Sequence, residues 1–127
     1  MWKDFNANPS GKRVGDCVVR AIAHNLDMEW ERAYTEICLQ GFIDCDMPSA
    51  NEVWGAYLRR KGYKRGILAE ECPTCYTVRD FCRDYPEGRY LLALHEHVVS
   101  VVNGCYYDTW DSGDMAPLYY WKKEDDE

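Results

Sequence analysis

Three residues of this chain have the types and the order of a nucleophilic centre: Cys17, then His97, then Asp108. A thiol attacks only as its thiolate. A neutral histidine takes the thiol proton, and the imidazolium that forms stabilises the thiolate. A carboxylate beside the histidine sets its tautomer and orientation. Each residue also has a plainer reading. A free cysteine is most often a small buried hydrophobe. His97 read alone is a strand-end histidine satisfied by a carbonyl or water. Asp108 read alone caps a turn, a role that Asp111 and Asp114 fit better. His95 is the nearest competitor for the base. His24 is ranked behind it, being two helical turns from Cys17, roughly 10 Å along the axis.

The elements around these residues decide between the readings. Gly15-Asp16-Cys17-Val18-Val19-Arg20-Ala21-Ile22-Ala23 reads as a loop turning into a helix. Asp16 is a suitable N-cap, and Val18, Val19, Ile22, Ala23 and Leu26 recur at helical spacing. Cys17 thus falls in the first turn, where unpaired N–H groups and the helix dipole favour negative charge. The charge of Asp16 beside it works the other way. His97-Val98-Val99-Ser100-Val101-Val102 is a strand, Asn103-Gly104 a two-residue hairpin turn, and Cys105 to Trp110 the returning strand. That turn pairs Val102 with Cys105, Val101 with Tyr106, Ser100 with Tyr107 and Val99 with Asp108. Opposed residues share a face, so Asp108 becomes the diagonal neighbour of His97, about 5–8 Å away between Cβ atoms. Trp110 falls opposite His97, where it shields the pair from water. The turn therefore gives His97 an orienting carboxylate and shifts the balance for Cys17 toward a nucleophile.

The remaining chain supplies the scaffold. Asp27 is a candidate cap for a second helix burying Trp30, Ala33, Tyr34 and Ile37. Ser49 and Glu52 have capping-box spacing ahead of a third helix that Gly62 ends. Tyr63 to Leu68 is compatible with a short strand, Thr77 starts another helix, and Tyr90–Leu94 and Leu118–Trp121 are strand candidates. Helices first and an antiparallel meander second make an α+β layout. The chain reads as one domain over residues 1–127, with an irregular arm at 1–15 and an acidic tail at 122–127.

Composition narrows the function classes. Hydrophobic residues form 46% of the 127, which is globular and leaves no run long enough for a membrane span. The N-terminus has no apolar signal region, and seven cysteines is an odd number, so free thiols in a reducing cytoplasm are expected. The formal charge of −7 argues against a nucleic-acid partner. The basic run Arg59-Arg60-Lys61 through Lys64-Arg65 reads as favourable interaction with a helix C-terminus. Cys72-Pro73-Thr74-Cys75 with Cys82 lacks the second pair or histidine of a zinc site. No metal and no cofactor is expected, and oligomeric state is not legible.

At Cys17 and from His97 to Trp110 the chain resembles the papain-like cysteine proteases. The order of cysteine at a helix start, histidine on a strand and Asn or Asp on the next is theirs. Asp108-Thr109-Trp110 is similar to the family's Asn-Ser-Trp. The resemblance implies a papain-like fold, with the nucleophile helix packed on the C-terminal sheet. It implies Cys17 as nucleophile, His97 as general base and acid, Asp108 as orienting residue, and a peptide or protein substrate. The family's oxyanion glutamine stands six residues before its cysteine, and Gly11 holds that position here. The resemblance therefore puts oxyanion or supporting roles on Asn6 or Asn8, with the N–H of Cys17, and a supporting role on Trp110. An inactive, binding member of the same fold is the alternative.

Overall fold

A computed structural model describes residues 1–68 and 76–124. Its elements run β1 (Trp2–Asp4), α1 (Cys17–Asn25), α2 (Trp30–Asp44), α3 (Asn51–Arg60), β2 (Tyr63–Ile67), α4 (Val78–Asp84), β3 (Arg89–Leu94), β4 (His97–Val102), β5 (Cys105–Asp108) and β6 (Tyr119–Lys123). This is an α+β fold in which the six strands form one mixed sheet, ordered β1-β5-β4-β3-β6-β2.

β3 and β4 lie at the centre, and their residues are apolar on both faces for that reason. Leu91 and Ala93 of β3 and Val98 of β4 pack with Ile22, Ile37, Trp54 and Leu58, so α1, α2 and α3 cover one face. Leu92, Val99 and Val101 alternate to the other face and pack with Val78 and Phe81 of α4. Trp54 and Phe81 are fully buried and anchor the two layers. Burying one such aromatic stabilises the fold by roughly 1.5–3 kcal/mol.

The hairpin adopts the register expected of its turn. Asn103 and Gly104 both have positive φ, 50° and 77°, as a type I′ turn requires, and Ser100, Val101 and Val102 oppose Tyr107, Tyr106 and Cys105. β5 ends at Asp108, so Thr109 and Trp110 leave the ladder two residues before the expected end.

Elsewhere the expected layout needs correction. The sheet is not a simple meander. β6 crosses back to pair with β3, and β2 pairs with β6. The order β6-β3-β4-β5 is that of a Greek key. Residues 1–15 are not irregular throughout: β1 pairs in parallel with β5, setting Trp2 against Tyr106 and Asp4 against Asp108. A three-residue exposed strand has no apolar alternation to reveal it; the open edge of β5 induces it. Lys122 and Lys123 belong to β6, not to the tail.

Three caps also differ. Asp16 and Ala50 occupy the N-cap positions of α1 and α3 without any side-chain cap bond, so Ser49 and Glu52 form no capping box. Asp27 sits at φ 56° in the left-handed region, and Glu29 is the N-cap of α2. Thr77 and Asp80 do form a reciprocal capping box on α4.

Gly41, near the end of α2, sets the loop that follows. A Cβ there would lie 2.7 Å from the Asp46 carbonyl oxygen and 3.3 Å from the Pro48 nitrogen, both backbone atoms. Gly41→Ala is expected to destabilise the fold by about 1–3 kcal/mol and to displace Met47 and Pro48. Thermal unfolding followed by circular dichroism checks this; an unchanged Tm would mean that the loop yields freely.

Candidate active site

α1 begins at the cysteine itself. Its inner face, Val18, Ala21, Ile22 and Ala23, is held against the sheet, which places the first turn beside the start of β4. Cys17 is half-buried there, close enough to the His97 side chain and the Val98 backbone N–H for both to act on its thiol. Burial pushes its thiol up. The hydrogen bond and charge of His97, the Val98 bond and the charge of Arg20 outweigh that, and the thiol lies below its ordinary value of 9.0.

His97 opens β4 and uses its other side for Asp108. Nε2–H donates to Asp108 Oδ2 at 2.6 Å, which leaves Nδ1 for the thiol. Burial lowers the imidazole; the bonds to Asp108 and Cys17 and their charges raise it further, to about 9. Above pH 6.5, where an unfolded histidine loses its proton, this one keeps it. The raised value stabilises the fold fully below pH 6.5, and the contribution drains away as pH rises through about 9. Cys17→Ala removes two of the raising interactions. The His97 ring, followed by NMR, is expected to titrate near 9 in the native chain and markedly lower in that variant; equal midpoints would uncouple the two side chains.

Asp108 is 3% exposed and fully engaged. Oδ2 also accepts from the Ser112 hydroxyl at 2.8 Å, and Oδ1 accepts from the Thr109 N–H at 2.8 Å. Its backbone carbonyl accepts from Trp2 Nε1 and from the Phe5 N–H, so β1 clamps the end of the strand that carries it. The Arg20 guanidinium lies 3.6 Å from Oδ1.

Arg20 was not singled out in the sequence, yet it joins the site together. It is 8% exposed, lies between two carboxylates, and pairs with Asp16 at 2.5 Å on the side away from Asp108. Charges thus alternate through the interior: Asp16, Arg20, Asp108, His97, Cys17. Asp16 does not confront the thiolate as an isolated negative charge. It is paired with Arg20 and accepts from Trp30 Nε1 at 2.9 Å and Asn8 Nδ2 at 3.3 Å. The visible signal was the Asp16/Arg20 spacing of four on one helix.

The other sequence candidates fall as follows. The Asn6 amide donates to the Lys12 carbonyl and the Asn8 amide to Asp16, and neither residue lines the cavity beside Cys17. Oxyanion roles for Asn6 and Asn8 are therefore corrected: the arm folds into its own turn, and Asn8 supports the site only through Asp16. Trp110 stacks near His97, ring centroids 5.1 Å apart, but is 42% exposed and covers the imidazole only in part. His95 is exposed and faces Glu96. His24 Nδ1 is 2.8 Å from Ser100 Oγ, and its ring lies 3.9 Å from that of Tyr107. Burial, then the charge of Arg89, lowers it to about 4, so it is neutral near pH 7.

Cys17 and His97 open onto a cavity of about 420 Å³ whose other walls include Tyr34, Ile37, Met47, Asn51 and Trp54. The cavity is mostly apolar. The N-terminal N–H groups of α1, free of a side-chain cap, point out of the helix at the same end. Among the described residues no group of three or more His, Cys, Asp and Glu side chains is placed to hold a metal. Cys72 and Cys75 lie outside those residues. No described helix is long and apolar enough to cross a membrane. No protein-family model, no curated protein and no solved structure matches the chain.

Proposed function

We propose that the chain is a papain-like cysteine hydrolase acting on a peptide, isopeptide or related amide bond. One observation carries the reading: His97 bonds Asp108 at 2.6 Å and shares with Cys17 the wall of a mostly apolar cavity, close enough to act on its thiol. The thiolate of Cys17 adds to the amide carbonyl carbon. The resulting oxyanion is held by the N–H of Cys17 and its helix-start neighbours, where the dipole favours negative charge. The His97 imidazolium then protonates the leaving amine, the C–N bond breaks, and a thioester remains on Cys17. His97, now neutral, takes a proton from water as the water adds to that thioester. Collapse releases the carboxylic acid, and the thiol recovers a proton from His97.

The test is the rate of alkylation by iodoacetamide, read residue by residue with mass spectrometry. Cys17 is expected to react faster than Cys38 and Cys45 at neutral pH and to lose that advantage in His97→Ala. A Cys17 that reacts no faster than those two, or that ignores the loss of His97, would sink the proposal.

A binding protein without turnover is the second reading, and one observation favours it: neither Asn6 nor Asn8 reaches the cavity. On that reading Cys17→Ser leaves the chain's biological effect intact, whereas a hydrolase loses it.

A further inference from the structure

A second cavity, about 400 Å³, is lined by Asn51, Glu52, Arg59, Arg65, Tyr119 and Trp121. Asn51 also lines the cavity beside Cys17, so the two adjoin along the start of α3.

Both arginines are held by aromatic faces. The Arg59 guanidinium stands 5.0 Å from the Trp121 ring centroid, and that of Arg65 stands 4.2 Å from the Tyr119 centroid. They come from different elements, α3 and β2, and converge on the same cavity. Neither makes a salt bridge among the described residues, although Arg20, Arg32, Arg79 and Arg83 all do. Stacking fixes a guanidinium plane while leaving its N–H edge free to meet a carboxylate. Trp121 lines the cavity with its ring; its indole N–H is buried and meets no acceptor among the described residues. Asn51 accepts from Trp54 Nε1 through Oδ1, which leaves its amide N–H groups for a ligand. The two guanidiniums and the Asn51 amide N–H groups only donate, the Tyr119 hydroxyl donates and accepts, and the Glu52 carboxylate only accepts.

We infer that this cavity binds a carboxylate of an acidic peptide, with Arg59 and Arg65 as its principal contacts. Taking that peptide as the substrate of Cys17 rests on the proposed activity; the anion site itself does not. Arginines on aromatic rings also suit single-stranded nucleic acid. The formal charge of −7 and the Glu52 carboxylate inside the cavity repel either anion; two guanidiniums match one or two carboxylates but are too few to track a phosphate backbone.

Fluorescein-labelled hexaglutamate, hexaglutamine and a thymidylate hexamer serve as probes, with binding to the full chain carrying Cys17→Ala read by anisotropy. Hexaglutamate is expected to bind about tenfold or more tightly than hexaglutamine, the scale of one charge-assisted hydrogen bond. Adding Arg59→Gln and Arg65→Gln removes that preference, and Arg65→Gln alone, at an exposed position, reduces it should the double variant not fold. Equal binding of the two peptides, a preference that survives both substitutions, or tighter binding of the thymidylate hexamer overturns the inference. Iodoacetamide labelling of Cys17, in a chain that keeps the cysteine, is expected to be unchanged by Arg59→Gln and Arg65→Gln. An inert Cys17 therefore counts against the hydrolase alone, and indifferent peptide binding against this site alone.

Discussion

Arg20→Met is expected to destabilise the protein by about 3–5 kcal/mol, enough to unfold many domains of this size. The substitution keeps much of the buried aliphatic volume and removes the cation that lies between two buried carboxylates, Asp16 and Asp108. Those carboxylates are 8% and 3% exposed, so neither recovers its hydration when the guanidinium goes. The double variant Asp16→Asn with Arg20→Met removes one of the stranded charges and is expected to recover a large part of the loss. Chemical denaturation of the four members of this cycle measures the coupling. Strict additivity would mean that Asp16 and Arg20 do not act as a pair.

Asp108→Asn is expected to slow alkylation of Cys17 at pH 7 and to shift its pH profile upward. The Asp108 carboxylate is the first of the groups raising His97 against its burial. An amide in its place carries no charge to hold the imidazolium. With the imidazolium lost, only the Val98 N–H and the charge of Arg20 still oppose burial, the largest influence on the thiol, and burial raises it. Each unit by which the thiol rises removes about tenfold of the thiolate at neutral pH. On a hydrolysable substrate kcat is expected to fall about in step with the thiolate population, since the asparagine Oδ1 can still accept from Nε2–H and keep the ring oriented. Alkylation rates between pH 5 and pH 10 separate the outcomes. A profile that superimposes on the native one would remove Asp108 from the site. Arg20 retains Asp16 as a partner in this variant, so the fold is expected to survive and the readout to report on chemistry.

The two substitutions probe parts of one charge chain that were unequally visible in the amino-acid order. The pairing of His97 with Asp108 was legible because a hairpin is local. Asn103-Gly104 admits positive φ at both positions, the turn type sets the register, and the register sets which side chains meet. The helix at Cys17 was legible for a similar reason, since apolar residues at helical spacing recur within a few turns. Arg20 was not, because its second carboxylate arrives from a strand far along the chain. Asn6 and Asn8 were misread because a polar arm can satisfy its amides in its own turn, and spacing alone does not say which partner prevails. The Asp27 and Ser49 caps failed likewise: side-chain caps compete with backbone turns of nearly equal energy, and packing of α2 and α3 decided between them.

The sequence by itself determined the local pieces: the helix that begins at Cys17, the hairpin that sets Asp108 beside His97, and an α+β arrangement of helices and strands. Only the tertiary structure decided that β6 crosses to β3, that the N-terminal residues pair with β5, and that Arg20 bridges Asp16 to Asp108. It alone brought the thiol to the imidazole across the helix–sheet boundary. The physical reason is range. Turn dihedrals and side-chain periodicity are properties of neighbouring residues, whereas strand-edge pairing and buried charge compensation depend on which distant groups the packed core brings together.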